Sequence, residues 1–492
     1  MKTPSESLYH LIHSLGQNEK RYFILQSAKD NNSYLDLFRV INSQNTYNEA
    51  LVRNKLNSNE PGKFKKLKNY AFNSILKSLE SYYSNNSDEI LVLRKFIQAE
   101  ILLDKKLFAD SRKIIKSALK LSIDKDLLFF IPPCYERLYK IGVAAGNPQQ
   151  SILEINPVLV SKSVRDCGRW LEIKHLNTLF WNYIHTSTET ATKEEKKLLE
   201  TIIKQAGGIL KREPAGFTIK RESYLLLGLA SRFSGKGELS YRYRKLLVEL
   251  IESEPKYLYD RKHDYMVALG NLMNMCRDLG KTEETIRAYE KASRFIGEIP
   301  KRLVDFRLDE IFCNVMNSYV TFLFAQKKYA EVIRNGEALL KRIKAHKDKF
   351  ENSLLSILYQ NLMYSFFFCN DFKSSMRYHH LQMKRHSKND VSRLLFGLVI
   401  LFESGDLDAL HYKCRSVQYY IQKSKAYPAE SLLVKAFSGE LQKQHRKEEM
   451  KILFKKLLSE MQSCKREFDS LYKEYKFDYM DWVRMKAEDK AH

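Results

Sequence analysis

Helix-breaking residues are scarce in this chain, and that scarcity constrains its fold more than any other feature. Only 18 glycines and 10 prolines occur among 492 residues, about half of their usual shares. Sandwiches, barrels and nucleotide-binding α/β sheets need such turn residues frequently. The segments between prolines repeat apolar residues at the i, i+3, i+4 and i+7 spacing of a helix, and no proline lies between Pro300 and Pro428. The pattern predicts an all-α protein.

A helix–turn–helix unit recurs along the chain at intervals of roughly 35 to 47 residues, the range of α-solenoid repeats. The turns look alike, as in KKLFADS, GKTEET, QKKYAEV, CNDFKSS and SGDLDAL. We place them near Lys106, Gly146, Gly237, Gly280, Lys327, Asn370, Gly405 and His445, with a less distinct turn near Thr190. The sequence therefore predicts an α-solenoid of about nine helical hairpins over residues 88–465, followed by a C-terminal capping helix and tail over residues 466–492.

Each proposed hairpin has apolar positions on its first helix and small or aromatic positions on its second. Three units carry this pattern clearly: Met316, Tyr319, Val320 and Leu323 with Val332 and Leu339; Leu394, Leu398 and Leu401 with Gly405, Leu410 and Val417; and Val434, Phe437 and Leu441 with Met450, Phe454 and Leu457. The arrangement resembles the tetratricopeptide-repeat superfamily over about residues 88–465. The unit around Asn370 departs from it, because Ser375, His379 and Gln382 stand where small and apolar residues are expected.

Residues 1–87 follow a different pattern, with short helices expected at about 5–15, 17–29, 33–43, 47–56 and 63–84. The opening LIHSLGQNEKRYFILQS resembles the start of uncharacterised helical-repeat proteins of Bacteroidota, which implies no activity. Apolar residues over 34–41, the turn 42–46 and two leucines beyond it resemble a helix-turn-helix pair. Six basic residues there suit phosphate contacts: Arg53, Lys55, Lys63, Lys65, Lys66 and Lys68. The bundle is either the N-terminal cap of the solenoid or a nucleic-acid-binding unit.

The charge and the cysteines indicate the kind of partner and compartment. The 83 Lys and Arg against 59 Asp and Glu give a net charge of +24, which favours acidic or polyanionic partners, or a lysine-rich solvated surface. Seven scattered cysteines without a CxxC pair are typical of reduced thiols in a cytosolic protein. The N-terminus lacks the apolar segment of a signal peptide, and no apolar stretch is long enough to span a membrane. We expect a cytoplasmic protein without membrane insertion, of undetermined oligomeric state.

Motifs for catalysis and for cofactor or metal binding are absent from the sequence. There is no GxxxxGK[ST], GxGxxG, HExxH or GxSxG, and the pairs Gly207-Gly208 and Gly235-Lys236-Gly237 are interpreted as helix-breaking turns. His379, His380 and His386 form a cluster without a further ligand at metal-binding spacing, so a surface or core-edge role is expected. We therefore expect no catalytic residues, no cofactor and no metal, and a protein that is not an enzyme.

The proposed groove is the better candidate for a functional site. In a tetratricopeptide-like stack, the first helices line a concave surface, and their carboxamides can both donate to and accept from a peptide backbone. Three successive first helices supply the candidates: Asn271, Asn274 and Arg277; Asn314 and Asn317; Gln360, Asn361 and Tyr364. These residues are either a ligand-binding surface or ordinary polar contacts between helices. The favoured function is a non-enzymatic scaffold or adaptor that binds a protein segment; the alternative is a nucleic-acid-binding regulator with a ligand-sensing helical-repeat domain.

Overall fold

The computed structural model describes residues 6–27, 33–57, 60–83, 87–186, 192–212, 214–346, 352–385, 391–423, 428–439, 441, 447–475 and 477–488. Within these ranges the regular secondary structure is entirely helical. The all-α fold class is therefore confirmed. The proposed turns near Thr190 and His445, and His386 itself, lie outside the described residues.

The N-terminal bundle contains five helices: α1 (Ser7–Ser14), α2 (Gln17–Ser27), α3 (Ser33–Asn42), α4 (Glu49–Lys55) and α5 (Pro61–Tyr82). These bounds agree closely with the helices expected from the sequence pattern. The bundle encloses its own hydrophobic cluster, in which Ile12, Phe23, Phe38 and Phe64 are buried. Because α6 to α10 build a separate cluster around Val92, Ile115 and Cys134, the bundle does not share a core with the hairpins that follow.

Beyond the bundle, the described residues form nine consecutive helix pairs and two closing helices. The first pairs are α6 (Asp88–Asp104) with α7 (Phe108–Asp124), α8 (Ile131–Ala144) with α9 (Pro148–Glu154), α10 (Pro157–Thr186) with α11 (Lys193–Lys211), and α12 (Phe217–Phe233) with α13 (Gly237–Glu252). After the short α14 (Pro255–Asp260) come α15 (Lys262–Asp278) with α16 (Thr282–Glu298), α17 (Phe306–Ala325) with α18 (Tyr329–Lys344), and α19 (Asn352–Phe368) with α20 (Phe372–Met383). The last are α21 (Val391–Glu403) with α22 (Leu407–Lys423), α23 (Pro428–Ser438) with α24 (Lys447–Gln462), then α25 (Lys465–Tyr475) and α26 (Tyr479–Glu488). The expected all-α architecture of helical hairpins is confirmed.

The chain divides into two compact units, Met1–Glu189 with Lys204–Ser223, and Thr190–Ile203 with Tyr224–His492. Within the second unit, α15 contacts α17, α17 contacts α19, and α21 contacts both α20 and α23, so each hairpin packs on its neighbour. This nearest-neighbour packing is the arrangement of a helical-repeat stack. The boundaries proposed at residues 87 and 465 stay predictions.

The recurrent turn is one backbone structure, repeated. The residue that ends the first helix has positive φ at Lys106, Gly146, Gly235, Gly280, Lys327, Asn370 and Gly405. In each case the next N–H donates to a carbonyl five residues earlier, as from Lys281 to Cys276 at 2.8 Å and from Lys328 to Leu323 at 3.0 Å. This is the Schellman ending of a helix, which satisfies carbonyls that would otherwise lack a partner. The turn expected near Gly237 is centred on Gly235, and Asp126 adds an ending of the same type between α7 and α8.

The fifth residue after the positive-φ position of a hairpin turn packs against the first helix at six of the seven turns named above. Where that residue is described, it is fully buried: Ser111, Ser240, Thr285, Val332, Ser375 and Leu410. The three serines also donate their hydroxyls to carbonyls of the first helix, at Ala99 (2.8 Å), Gly228 (2.6 Å) and Met363 (2.8 Å). Ser375, which looked like a departure from the repeat, therefore occupies the same position as the other two serines.

One turn assignment was wrong. Gly207 and Gly208 lie inside α11 instead of at a break between helices. No neighbouring atom lies within 4 Å of a Cβ placed at either glycine. The helix is maintained by its apolar face, on which Leu199, Ile202, Ala206 and Ile209 are buried. Packing of that face outweighs the roughly 1 kcal/mol by which each glycine disfavours a helix interior.

The positive φ at Lys327 gives a stability prediction. An L-residue in the left-handed region costs about 1 kcal/mol relative to glycine, and the side chain of Lys327 is exposed. We expect Lys327→Gly to raise the free energy of unfolding by about 0.5–1 kcal/mol, because it relieves this strain. The gain is not larger, because glycine also has more entropy in the unfolded chain. The reverse change at the matching turn, Gly280→Lys, should lower it by about 1 kcal/mol. Urea midpoints measure both, and a lower midpoint for Lys327→Gly would contradict the turn geometry.

Candidate functional site

The candidate site lies on three adjacent first helices of the second unit. Equivalent positions on these helices are found by counting back from the positive-φ residue that ends each one, which is Gly280, Lys327 or Asn370. The residues nine and six positions earlier are Asn271 and Asn274 on α15, Ser318 and Thr321 on α17, and Asn361 and Tyr364 on α19. We call these six residues the first-helix face. The sequence alone suggested a straight row of carboxamides. The turn register corrects this, because the middle helix presents two hydroxyls at these positions.

Helix α15 carries the most accessible carboxamides of this face. Asn271 and Asn274 are both half-buried, and the Oδ1 atom of Asn274 is buried without a hydrogen-bond partner. An unsatisfied buried oxygen costs about 1–3 kcal/mol, so a small rotation that lets a ligand donate to it would be favourable. Arg277, expected to bind a carboxylate, already pairs with Asp278, with Nη2 and Oδ1 2.9 Å apart.

On α17, the two predicted asparagines differ in their surroundings. Asn314 is exposed, and its amide donates to the Glu310 carbonyl one turn earlier at 3.1 Å. Asn317 is only 7% exposed, and its Oδ1 atom has no partner. Asn317 therefore lies one position away from the first-helix face and within the contact between helices, which makes a structural role the better interpretation of this residue.

Helix α19 is tied to α17 by a short chain of hydrogen bonds. The amide of Asn361 donates to Thr321 Oγ1 at 3.0 Å, and that hydroxyl donates to the Asn317 carbonyl at 3.0 Å. Asn361 is 6% exposed. Gln360 and Tyr364 border an interior gap of about 10 Å³ beside His379, room for about one water molecule. Asn361 therefore holds neighbouring hairpins together and is not open to a ligand, whereas Gln360 is half-buried.

Tyr364 is buried by a segment that lies more than a hundred residues later in the chain. Phe477 packs against Tyr364, Phe396 and Phe367, with ring centres 5.8, 4.7 and 5.6 Å apart. Tyr364 is 2% exposed and Phe477 is 1% exposed. The prediction that Tyr364 offers a stacking surface to a ligand is therefore corrected, because this chain's own C-terminal segment already covers the ring.

The helix after Phe477 is anchored on the same side of the second unit. Trp482 Nε1 donates to Glu403 Oε1 at 2.7 Å, and Lys486 Nζ lies 2.7 Å from the other carboxylate oxygen. Trp482 also packs against Phe402 and Phe454, with ring centres 6.0 and 5.6 Å apart. Sequence reasoning missed these anchors, although an aromatic pair spaced by five residues in the C-terminal tail is a signal that could have indicated docking.

The six basic residues of the N-terminal bundle fall into two groups. Lys55, Lys65 and Lys66 are exposed. Lys63 pairs with Glu60 at 3.0 Å, and buried Lys68 pairs with Glu49 at 2.7 Å, where it lowers the pKa of that carboxyl. Arg53 is half-buried, with its guanidinium carbon 5.8 Å from the centre of the Phe64 ring. The expected phosphate contact of Lys68 is corrected, because its ammonium is buried and neutralised.

The histidine cluster belongs to the core edge. His379 is 3% exposed, and its Nε2 lies 2.9 Å from the Arg393 carbonyl, to which it donates. Burial, together with the positive charges of His380, Lys413 and Arg393, lowers the pKa of His379 to about 4, although the hydrogen bond to the Arg393 carbonyl acts in the opposite direction. In the described part of the chain, no group of three or more His, Cys, Asp or Glu side chains is arranged to hold a metal ion. None of the described helices combines the length and apolar composition needed to cross a membrane.

Comparisons with known proteins concern the fold alone. No family model matches the chain, and no curated protein matches it either. Among solved structures, it is similar to a signal-transduction ATPase with numerous domains and a tetratricopeptide-repeat sensor from Pyrococcus horikoshii, with 16% identity, a TM-score of 0.42, and coverage of 96% of this chain and 68% of the other. It is also similar to yeast Tom70, with 13% identity, a TM-score of 0.22, and coverage of 82% and 96%.

The buried His379 predicts a pH dependence of stability. A folded-state pKa of about 4, against about 6.5 when unfolded, means that the unfolded chain binds the proton more tightly. Stability from this group is complete above pH 6.5 and is lost as the pH falls toward 4, by about 2 kcal/mol at pH 5. His379→Gln retains an N–H donor toward the Arg393 carbonyl and cannot titrate. Urea unfolding at pH 8 and pH 5 should show that the variant loses about 2 kcal/mol less of its free energy of unfolding than the unmodified protein does. Equal losses in the two proteins would contradict the assignment.

Proposed function

We propose that this is a non-enzymatic, cytoplasmic scaffold or adaptor whose first-helix face binds an extended segment of a partner protein. One observation carries the proposal. The chain's own C-terminal segment docks on α19 and α21 through Phe477, which supports the capacity of this surface to hold a segment by an aromatic anchor. Toward α15 the same face remains half-exposed and carries Asn271 and Asn274.

The chemistry at α15 suits a peptide backbone. A carboxamide provides two donors and an acceptor, so it can pair with both the N–H and the C=O of an extended chain. When a protein forms hydrogen bonds with the main chain of an extended peptide, the affinity depends little on the side chains of that peptide. The open, shallow surface also lacks the enclosed polar cluster that would shift the pKa values of a catalytic pair, which favours a binding function over an enzyme.

The test is to select phage-displayed dodecapeptides on the full-length protein and to measure their affinities by fluorescence anisotropy. We expect Asn271→Ala with Asn274→Ala to weaken the selected peptides at least tenfold, because each lost hydrogen bond contributes about 0.5–1.5 kcal/mol. The thermal midpoint should stay within a few degrees, since half-exposed positions away from the core contribute little to stability.

Matched carboxamides outside the face provide the control. Asn335 lies on α18 and Gln326 ends α17, and replacing both with Ala should leave affinity within twofold. Asn317 and Asn361 are left unchanged, because their burial between hairpins makes loss of fold and loss of binding indistinguishable. Equal binding by the Asn271/Asn274 variant and the control would remove the first-helix face as the peptide site.

A weaker candidate function is nucleic-acid binding by the N-terminal bundle, favoured by the three exposed lysines Lys55, Lys65 and Lys66. Each lysine that neutralises a phosphate adds about 0.9 to the slope of log K against log salt. Replacing all three with Gln in the full-length chain should therefore reduce the slope for duplex DNA by about 2.7.

The control replaces exposed lysines of the next hairpin, Lys105, Lys106 and Lys113, with Gln. Both triple variants lose the same charge, so diffuse attraction to the +24 chain weakens equally in both. Identical slopes for the two variants would leave the bundle with only the capping role.

A further inference from the structure

A second surface of the same unit has a different chemistry from the first-helix face. An open groove of about 540 Å³ lies between α20, the end of α21 and the turn before α22. Its floor is largely aliphatic, formed by Met376, Leu381, Ile400 and Leu401. Ile400 is 1% exposed and belongs to the core, whereas Met376, Leu381 and Leu401 are half-buried and form the accessible part of the floor. We call this surface the α20 groove.

One face of α20 forms a basic wall along this groove. Lys373, Arg377, His380 and Lys384 line it, at spacings of four, three and four residues. This spacing places all four on one side of a helix. None of these four side chains forms an ion pair with a carboxylate among the described residues, whereas the lysines of the N-terminal bundle are partly neutralised.

Two carboxylates offset part of this charge and leave a positive excess. Asp406 lines the groove and Asp371 precedes α20, and each accepts a backbone N–H at the start of a helix, from Ala409 and from Ser374 at 3.0 Å. A further lysine, Lys413 on α22, lies close enough to act on His380. Burial, Lys413 and Lys384 lower the pKa of His380, as expected where positive charge is in excess.

We propose that the α20 groove binds an acidic peptide segment, which inserts an aliphatic side chain into the floor while its carboxylates pair with the basic wall. Charge complementarity selects this occupant. A second copy of the chain carries the same +24 and is repelled. Nucleic acid would use the lysines but leave the aliphatic floor uncovered, since single strands rely on stacking against aromatic rings.

This site is independent of the first-helix face. Its wall comes from the second helix of a hairpin, and it contains none of the carboxamides assigned above. A protein with both surfaces could hold two segments at once, or two parts of one partner, with an affinity above that of either contact.

The test uses fluorescein-labelled dodecapeptides of Glu and Asp with two central residues, either Leu-Leu or Ser-Ser, and a duplex DNA dodecamer. Anisotropy titrations of the full-length protein at 150 mM salt should give at least tenfold tighter binding of the Leu-Leu peptide than of the Ser-Ser peptide. The triple change Lys373→Gln, Lys384→Gln and Lys413→Gln should weaken the Leu-Leu peptide at least tenfold.

The charge-matched control replaces three exposed lysines elsewhere in the unit, Lys245, Lys341 and Lys344, with Gln. It should change the Leu-Leu affinity less than twofold, and thermal midpoints of both triple variants should match. Met376→Gln, at a half-buried floor position, should reduce Leu-Leu affinity to that of Ser-Ser.

Three outcomes would overturn the proposal: equal affinity for the two peptides, equal loss in the two triple variants, or a loss of DNA binding in the groove variant as large as its loss of peptide binding. The peptide comparison needs no variant, so it decides even where a substitution disturbs folding. The Asn271/Asn274 variant should bind the acidic peptide normally, which keeps this result separate from that of the first-helix face.

Discussion

The close approach of two helices just after a left-handed turn is the constraint on which this structure depends. At six of the seven hairpin turns with positive φ, the side chain five residues later is described and is fully buried, whether it is serine, threonine, valine or leucine. The Schellman turn fixes the direction in which the second helix leaves, and the buried residue fixes how closely it packs. Because both are local, each hairpin forms with little dependence on distant sequence, and the stack then adds neighbour by neighbour.

The first-helix face changes character along the second unit. At α15 its carboxamides are half-exposed, at α17 it presents hydroxyls, and at α19 it is covered by aromatic packing. At α19 the cover comes from the C-terminal segment, whose Phe477 packs on Tyr364 and whose Trp482 packs against Phe402 and Phe454. A helical-repeat stack must cover the apolar side of its terminal unit, and here the cover extends onto the surface that elsewhere stays open.

The turns, the helix bounds and the fold class followed from the sequence, because glycine, asparagine and helical periodicity act over a few residues. The turn at Lys327 was predicted from the neighbouring residues in the sequence QKKYAEV, which are polar and then aromatic, although lysine rarely adopts the left-handed conformation. Gly207 and Gly208 were misassigned for the opposite reason. Their local preference is for a turn, and the apolar face of α11 overrides it.

The candidate site was predicted only in part. Asn271 and Asn274 were identified from a periodic pattern and are half-buried on α15, and their role in binding stays a proposal. Tyr364 occupies the same position on its helix as Asn274 does on α15, but its environment differs. Phe477, from near the C-terminus, packs against its ring. The α20 groove has no local signature beyond four basic residues on one helix, since half of its floor comes from the next helix, α21. The sequence by itself determined which residues form helices, where hairpins turn and which side chains share a helix face. Only the tertiary structure decided which of those faces are covered, because burial depends on contacts between residues that are distant in sequence.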